Sequence, residues 1–152
     1  MASSSLAKQA RTFVDFFVPG VPVQEGNISF GKGHSYHREG DRLQAWRNAI
    51  AEAALIASRR PVVSGATFVL WAGPVELDLY FTYKVRTKRD RGQPKITRPD
   101  LSKLTRAVED ALTGILWQDD AQIAQLDVFK GYVEEDEEPG LSVNAALLEW
   151  HR

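Results

Sequence analysis

The residues best suited to chemistry lie between Arg98 and Gln122. They read Arg98-Pro99-Asp100-Leu101-Ser102-Lys103-Leu104-Thr105-Arg106, then Glu109-Asp110-Ala111-Leu112-Thr113-Gly114, then Trp117-Gln118-Asp119-Asp120-Ala121-Gln122. Carboxylates stand before, late on and just beyond a helical segment, with bases between them. Hard cations such as Mg²⁺ take oxygen ligands, so this is the residue set that metal-assisted phosphoryl transfer needs. By itself the pair Asp119-Asp120 reads as a turn or a cap. Its weight comes from the block upstream: from Lys84 to Arg106 there are nine bases (Lys84, Arg86, Lys88, Arg89, Arg91, Lys95, Arg98, Lys103, Arg106) against Asp90 and Asp100. From Glu109 to Glu138 the balance inverts, with ten acids and Lys130 as the one base. A net charge of −1 therefore conceals two opposed blocks, and the basic one suits phosphate contacts.

Other motifs carry less. Gly26-Asn27-Ile28-Ser29-Phe30-Gly31-Lys32 follows a phosphate-binding loop for seven positions, but the eighth, which must offer Mg²⁺ a hydroxyl, is Gly33. Nucleotide hydrolysis is set aside on that ground, and no nucleotide cofactor is expected. His34 and His37 lack an identifiable third ligand and read as loop histidines, and His151 reads as solvated. With no cysteine, thiolate metal sites, disulfides and cysteine nucleophiles are excluded.

These residues must be positioned by a small set of elements. Phe13 to Val18 is β-prone and closed by Pro19-Gly20, so it reads as a strand. Residues 20–40 hold five glycines and no period, which predicts a loop. Arg42 to Ser58 has Leu43, Trp46, Ile50, Ala53, Ala54 and Ala57 on one helical face. Val75 to Arg86 alternates apolar and polar residues, which predicts a long strand with one wet face. Residues 87–99 form a basic loop. A second helix starts near Asp100, a candidate N-cap, with Leu101, Leu104, Val108, Ala111, Leu112 and Ile115 on its stripe. Strands follow at Ile123 to Gly131 and Leu141 to Trp150, on either side of an acidic turn. The class is α+β: a small mixed β-sheet packed against two main helices. Trp46, Trp71, Trp117 and Trp150 read as core or interface.

The run RPDLSKLTRAVEDALTGILWQDDAQIAQLDVFK resembles the RusA-like Holliday junction resolvases of phages and prophages. Their pattern is a basic or polar residue, Pro, Asp, any, Asp, Asn, Leu, any, Lys, then Asp-Ala-Leu-Asn/Thr-Gly, then Asp-Asp-x-Gln-Ile/Val. The resemblance reaches weakly to FFVPGVPV and LQAWRNAI. It implies a small α/β fold, a homodimer, and Mg²⁺- or Mn²⁺-dependent cutting of branched DNA. Asp100 and Asp120 match the first and last metal-site aspartates. Ser102 replaces the second, Lys103 replaces the asparagine, and Arg106 replaces the motif lysine. A serine hydroxyl leaves the site one negative charge short, so either another acid compensates or activity is impaired. Asp119 and Asp110 are the candidates. In an extended pair Asp119 would point away from Asp120, and Asp110 shares a helical face with Lys103 and Arg106, with which it could instead form ion pairs. Arg106 can stabilise phosphate charge but is a poor proton carrier.

The expected function is a metal-dependent endodeoxyribonuclease for four-way junctions. Asp100, Asp120 and Arg106 are catalytic. Metal ligands come from Asp100, Asp120, Asp119, Ser102 and Asp110. DNA is gripped by Lys84, Arg86, Lys88, Arg89, Arg91, Lys95, Arg98, Lys103 and Lys130. The alternative is a junction-binding protein with weak or lost catalysis, and a nuclease for flaps is a third possibility. Residues 1–11, small and polar, are expected to form a mobile tail before one domain spanning 12–152. With no 18-residue apolar run and no signal-like N-terminus, a cytoplasmic location without membrane contact is expected.

Overall fold

The computed structural model describes residues 11–26 and 33–149. The elements run β1 (Phe13–Pro19), α1 (Gly33–Arg59), β2 (Val75–Tyr83), α2 (Leu101–Leu112), β3 (Ile123–Tyr132) and β4 (Gly140–Leu147), with 3-10 turns at Lys88–Asp90 and Asp120–Gln122. The four strands form one sheet in the order β1-β4-β2-β3. β4 is antiparallel to both β1 and β2, whereas β2 and β3 are parallel. Parallel neighbours need a crossover connection, and α2 supplies it. The fold is α+β, as the alternation of patterns predicts.

The alternation along β2 places Val75, Leu77, Leu79 and Phe81 in the core. On α2 the stripe Leu104, Val108, Ala111 and Leu112 meets them, and Trp46, Ile50, Ala54 and Ala57 of α1 complete the layer. Trp46, Trp71 and Trp117 are all buried. The indole N–H of Trp71 donates to the Arg11 carbonyl at 2.7 Å and that of Trp117 to Thr113 Oγ1 at 3.1 Å. The phosphate-loop-like stretch at 27–32, and Trp150 and His151, lie outside the described residues.

Three expectations need correction. Helix α1 begins at Gly33, so the stretch carrying His34 and His37 is helical where a loop was expected. Once the packed part of a helix exists, adding turns is cheap, and they need no apolar stripe. β2 ends at Tyr83 and α2 at Leu112, both about one turn or less short of the predicted ends. Gly114, at φ +87, breaks α2 in the left-handed conformation that glycine tolerates, and the chain turns back so that Ile115 packs from outside the helix. Arg11, assigned to a mobile tail, is ordered. Its amide donates to Thr67, and Nη1 donates to the carbonyls of Ala57, Ser58 and Arg60 at 2.6, 3.3 and 3.1 Å, capping the end of α1.

Candidate metal and nucleic-acid site

α2 leaves the basic loop at Asp100 and ends beside the Asp119-Asp120 turn. β3 then runs back along it, so Lys130 returns to the Asp100 end. The sequence-predicted residues therefore fall into two groups at opposite ends of one helix. Asp100 and Glu109 alone are about 13 Å apart along the axis at 1.5 Å per residue. Among the described residues no three acids or histidines come together as a metal-binding group.

At the first end, Asp100 occupies the N-cap position, but its carboxylate makes no capping bond, contrary to expectation. Its amide donates to Gln24 Oε1 at 2.9 Å, and Oδ2 lies 3.5 Å from Lys103 Nζ. The side chain is 53% exposed, so its oxygens remain available to a ligand. Lys130 Nζ donates to the carbonyls of Thr97 and Pro99 at 2.6 and 2.5 Å, tying β3 to the loop that delivers Asp100. Burial and the Lys95 charge push the Lys130 ammonium below the usual lysine range, with Asp100 pulling the other way. Lys95 Nζ stands 5.2 Å from the ring centres of both Tyr83 and Tyr132 and donates to Thr97 Oγ1 at 2.7 Å. The Tyr132 hydroxyl accepts from Arg86 Nη2 at 3.0 Å and from Lys95 at 3.5 Å. Burial raises the Tyr132 phenol, but hydrogen bonds with Thr97 and Lys95 and the charges of Lys95 and Arg86 outweigh it, and the net direction is down. Burial pushes the Tyr83 phenol up, and its hydroxyl bonds the Pro22 carbonyl.

At the far end, Asp119 Oδ1 accepts from the Ala121 amide at 2.9 Å and caps the turn. Gln122 accepts from the amides of Gln118 and Asp119, and its Nε2 donates to the Trp71 and Gly73 carbonyls. Asp119 thus builds the turn that presents Asp120. Asp120 faces Glu109, whose carboxyl is raised by burial first and then by the charges of Asp120 and Asp110, against Arg106. Ser102, Arg106 and Glu109 follow one another up a single stripe of α2.

Asp110 is placed elsewhere. Arg47 Nη2 lies 3.3 Å from Asp110 Oδ2 and also bonds Glu25, so its ion-pair partner comes from α1 rather than from Lys103 or Arg106, the alternative that helix spacing offered. Helix spacing reveals only neighbours on the same helix, whereas this guanidinium arrives by helix-on-helix packing. Lys84, Lys88, Arg89, Arg91 and Arg98 are exposed along the loop. Arg86 leans on Asp90 at 3.9 Å.

Sequence reasoning gave no site role to Tyr83, Tyr132, Gln24 or Glu109. Tyr132 shares a strand face with Lys130, two residues away, which was a usable signal; Gln24 left none.

These features have relatives. The chain is 28% identical over 136 residues to "Uncharacterized protein YqaN" of Bacillus subtilis (strain 168), an alignment covering 80% of this chain and 89% of that protein. Residues 19–144 match the family described as "Endodeoxyribonuclease RusA". That match takes in both helices, β2, β3 and the Asp100 and Asp120 ends of the site alike, and the chain belongs to the RusA endodeoxyribonuclease family.

Proposed function

We propose that this protein is a structure-specific endodeoxyribonuclease that cuts four-way DNA junctions with the help of Mg²⁺ or Mn²⁺. The observation that supports it most is the state of Asp100: a half-exposed carboxylate spared from capping, flanked by ordered cations at the edge of a basic loop. Asp100 and Asp120 are hard oxygen donors, and Mg²⁺ needs only one or two carboxylates when water and substrate phosphate complete its shell, so the residues fit such an ion. When bound it would supply an activated water and stabilise charge on the phosphate.

The chain's own residues divide the remaining work. Asp119 caps the turn that presents Asp120, and Lys103 and Lys130 hold the surroundings of Asp100. Arg106, on the exposed stripe between the two ends, would bind a phosphate oxygen in fork geometry. The bases from Lys84 to Arg98 would set the protein on the backbone without reading sequence. Because the two carboxylate groups stand apart within one chain, a centre using both needs a second copy, and a homodimer also matches the two-fold symmetry of a junction. No helix among the described residues is long and apolar enough to cross a membrane. A cytoplasmic site of action belongs to this proposal, as the compartment in which the DNA substrate would be met.

The test is incubation of a labelled mobile four-way junction with and without Mg²⁺. Paired, metal-dependent nicks on opposed strands are expected. Retarded but uncut DNA would replace this reading with a junction-binding role, which the presence of Ser102 in place of an acid favours.

A further inference from the structure

At this end of the sheet three bases are held in place by hydrogen bonds to uncharged groups. Arg86 follows β2, Lys95 lies in the loop and Lys130 is on β3, yet all three come to the C-terminal ends of the parallel pair β2 and β3, Arg86 and Lys95 on the Tyr132 hydroxyl and Lys130 two residues before Tyr132 on the same strand. Tyr132 Oη accepts from both Arg86 and Lys95, so two cations share a single oxygen. Lys95 is wedged between the Tyr83 and Tyr132 rings, and both Lys95 and Lys130 are anchored to Thr97. The nearby acids are engaged at the margin: Asp90 with the Thr87 amide and Arg86, Asp100 with Lys103. Tyr132 is only 4% exposed, while Arg86 is 63% exposed and opens the cluster to solvent.

Like charges gathered this closely repel, and the arrangement gains most when an anion sits among them. A side chain free in solution gives up rotamer freedom on binding, but cations already fixed by rings and carbonyls have lost it in folding. We propose that Arg86, Lys95 and Lys130 form a preorganised seat for one phosphate group, with Tyr132 as the residue that positions it. The ligand chemistry is a phosphate oxyanion, and its source is the DNA backbone. This rests on the nucleic-acid reading above and deepens it, because it separates one ordered contact from the diffuse grip of the exposed loop bases. Guanidinium and ammonium groups donate to the phosphate oxygens, and the Tyr132 hydroxyl, by accepting from Arg86 and Lys95, holds these two cations in position around them.

The test uses the full chain. Inorganic phosphate is titrated into labelled protein and followed by NMR, and the same protein is then titrated with a linear duplex and a four-way junction. Phosphate shifts signals of Arg86, Lys95, Lys130 and Tyr132, and duplex DNA displaces it. Tyr132→Phe keeps the ring and every charge, yet weakens phosphate and DNA about 10-fold, the scale of one lost charge-assisted hydrogen bond. Lys95→Gln does the same. Arg59→Gln, which removes one charge from the exposed end of α1, leaves phosphate binding unaltered. Retention of the thermal midpoint in Tyr132→Phe separates positioning from folding. Wild-type phosphate affinity in Tyr132→Phe overturns the seat. Phosphate that binds there but is not displaced by DNA overturns its assignment to the backbone. None of these readings needs DNA to be cut, so they stand apart from the fate of the nuclease proposal.

Discussion

Replacing Lys130 by methionine keeps the aliphatic stem and deletes the ammonium that binds the Thr97 and Pro99 carbonyls at 2.6 and 2.5 Å. Charge-assisted hydrogen bonds contribute about 1.5–3 kcal/mol when they are shielded. Here both carbonyls sit in a surface loop where water can replace the lost donor, so the whole change is about 1.5 kcal/mol. For a chain of this length that corresponds to a fall of about 3–6 °C in the thermal midpoint. The loss is also local. The loop is tied to β3 by Lys130 and by the backbone bond from the Lys95 amide to the Lys130 carbonyl, so deleting one tie loosens residues 95–99 before the core feels it. Limited trypsinolysis reads this directly: cleavage after Lys95 accelerates in Lys130→Met, while cleavage after Arg98 stays blocked by Pro99. Lys130→Arg, which can still donate to both carbonyls, restores much of the midpoint and the protection. An unchanged midpoint together with unchanged cleavage in Lys130→Met would refute the clamp.

On the proposed metal role, Asp100→Asn and Asp120→Asn each remove a candidate negative oxygen ligand while keeping shape, so each is expected to abolish junction cutting and to leave junction binding intact or slightly tighter in a gel-shift assay. Asp119→Ala is expected to cut more slowly and also to lower the thermal midpoint, because it removes the oxygen that caps the turn. Glu109 is held above its ordinary carboxyl range, so the native state binds its proton more tightly than the unfolded chain does, and stability falls as pH rises through that window. Glu109→Gln therefore raises the denaturation midpoint at pH 7, with the gain vanishing as the pH drops below about 4, the unperturbed glutamate range. Neutralising Lys88, Arg89 and Arg91 together flattens the dependence of log affinity on log salt by up to about 2.7, from about 0.9 per phosphate contact. An unchanged slope would return these three bases to a solvated loop.

Local patterns in the sequence marked the strands, α2 and the packed part of α1, along with the charged residues at the two ends of the candidate site. Period-two alternation marks β2 because a half-buried strand must expose every second residue, and the Leu104, Val108, Leu112 stripe marks α2 for the corresponding helical reason. The motif around Asp100 and Asp120 was legible for the same cause: its residues are close in the chain. Three further features depended on the tertiary structure. The parallel pairing of β2 with β3 sends Lys130 back to Asp100 and leaves Asp120 at the other end of α2, so carboxylates read as one site stand as two groups. Packing of α1 against α2 gives Asp110 to Arg47. Convergence of β2, the basic loop and β3 gathers Arg86, Lys95 and Lys130 about Tyr132, a group whose members span 46 positions between Arg86 and Tyr132. Spacing along a chain determines which residues share a face of one element. Which faces then meet depends on strand order and packing, and that is where this site is made.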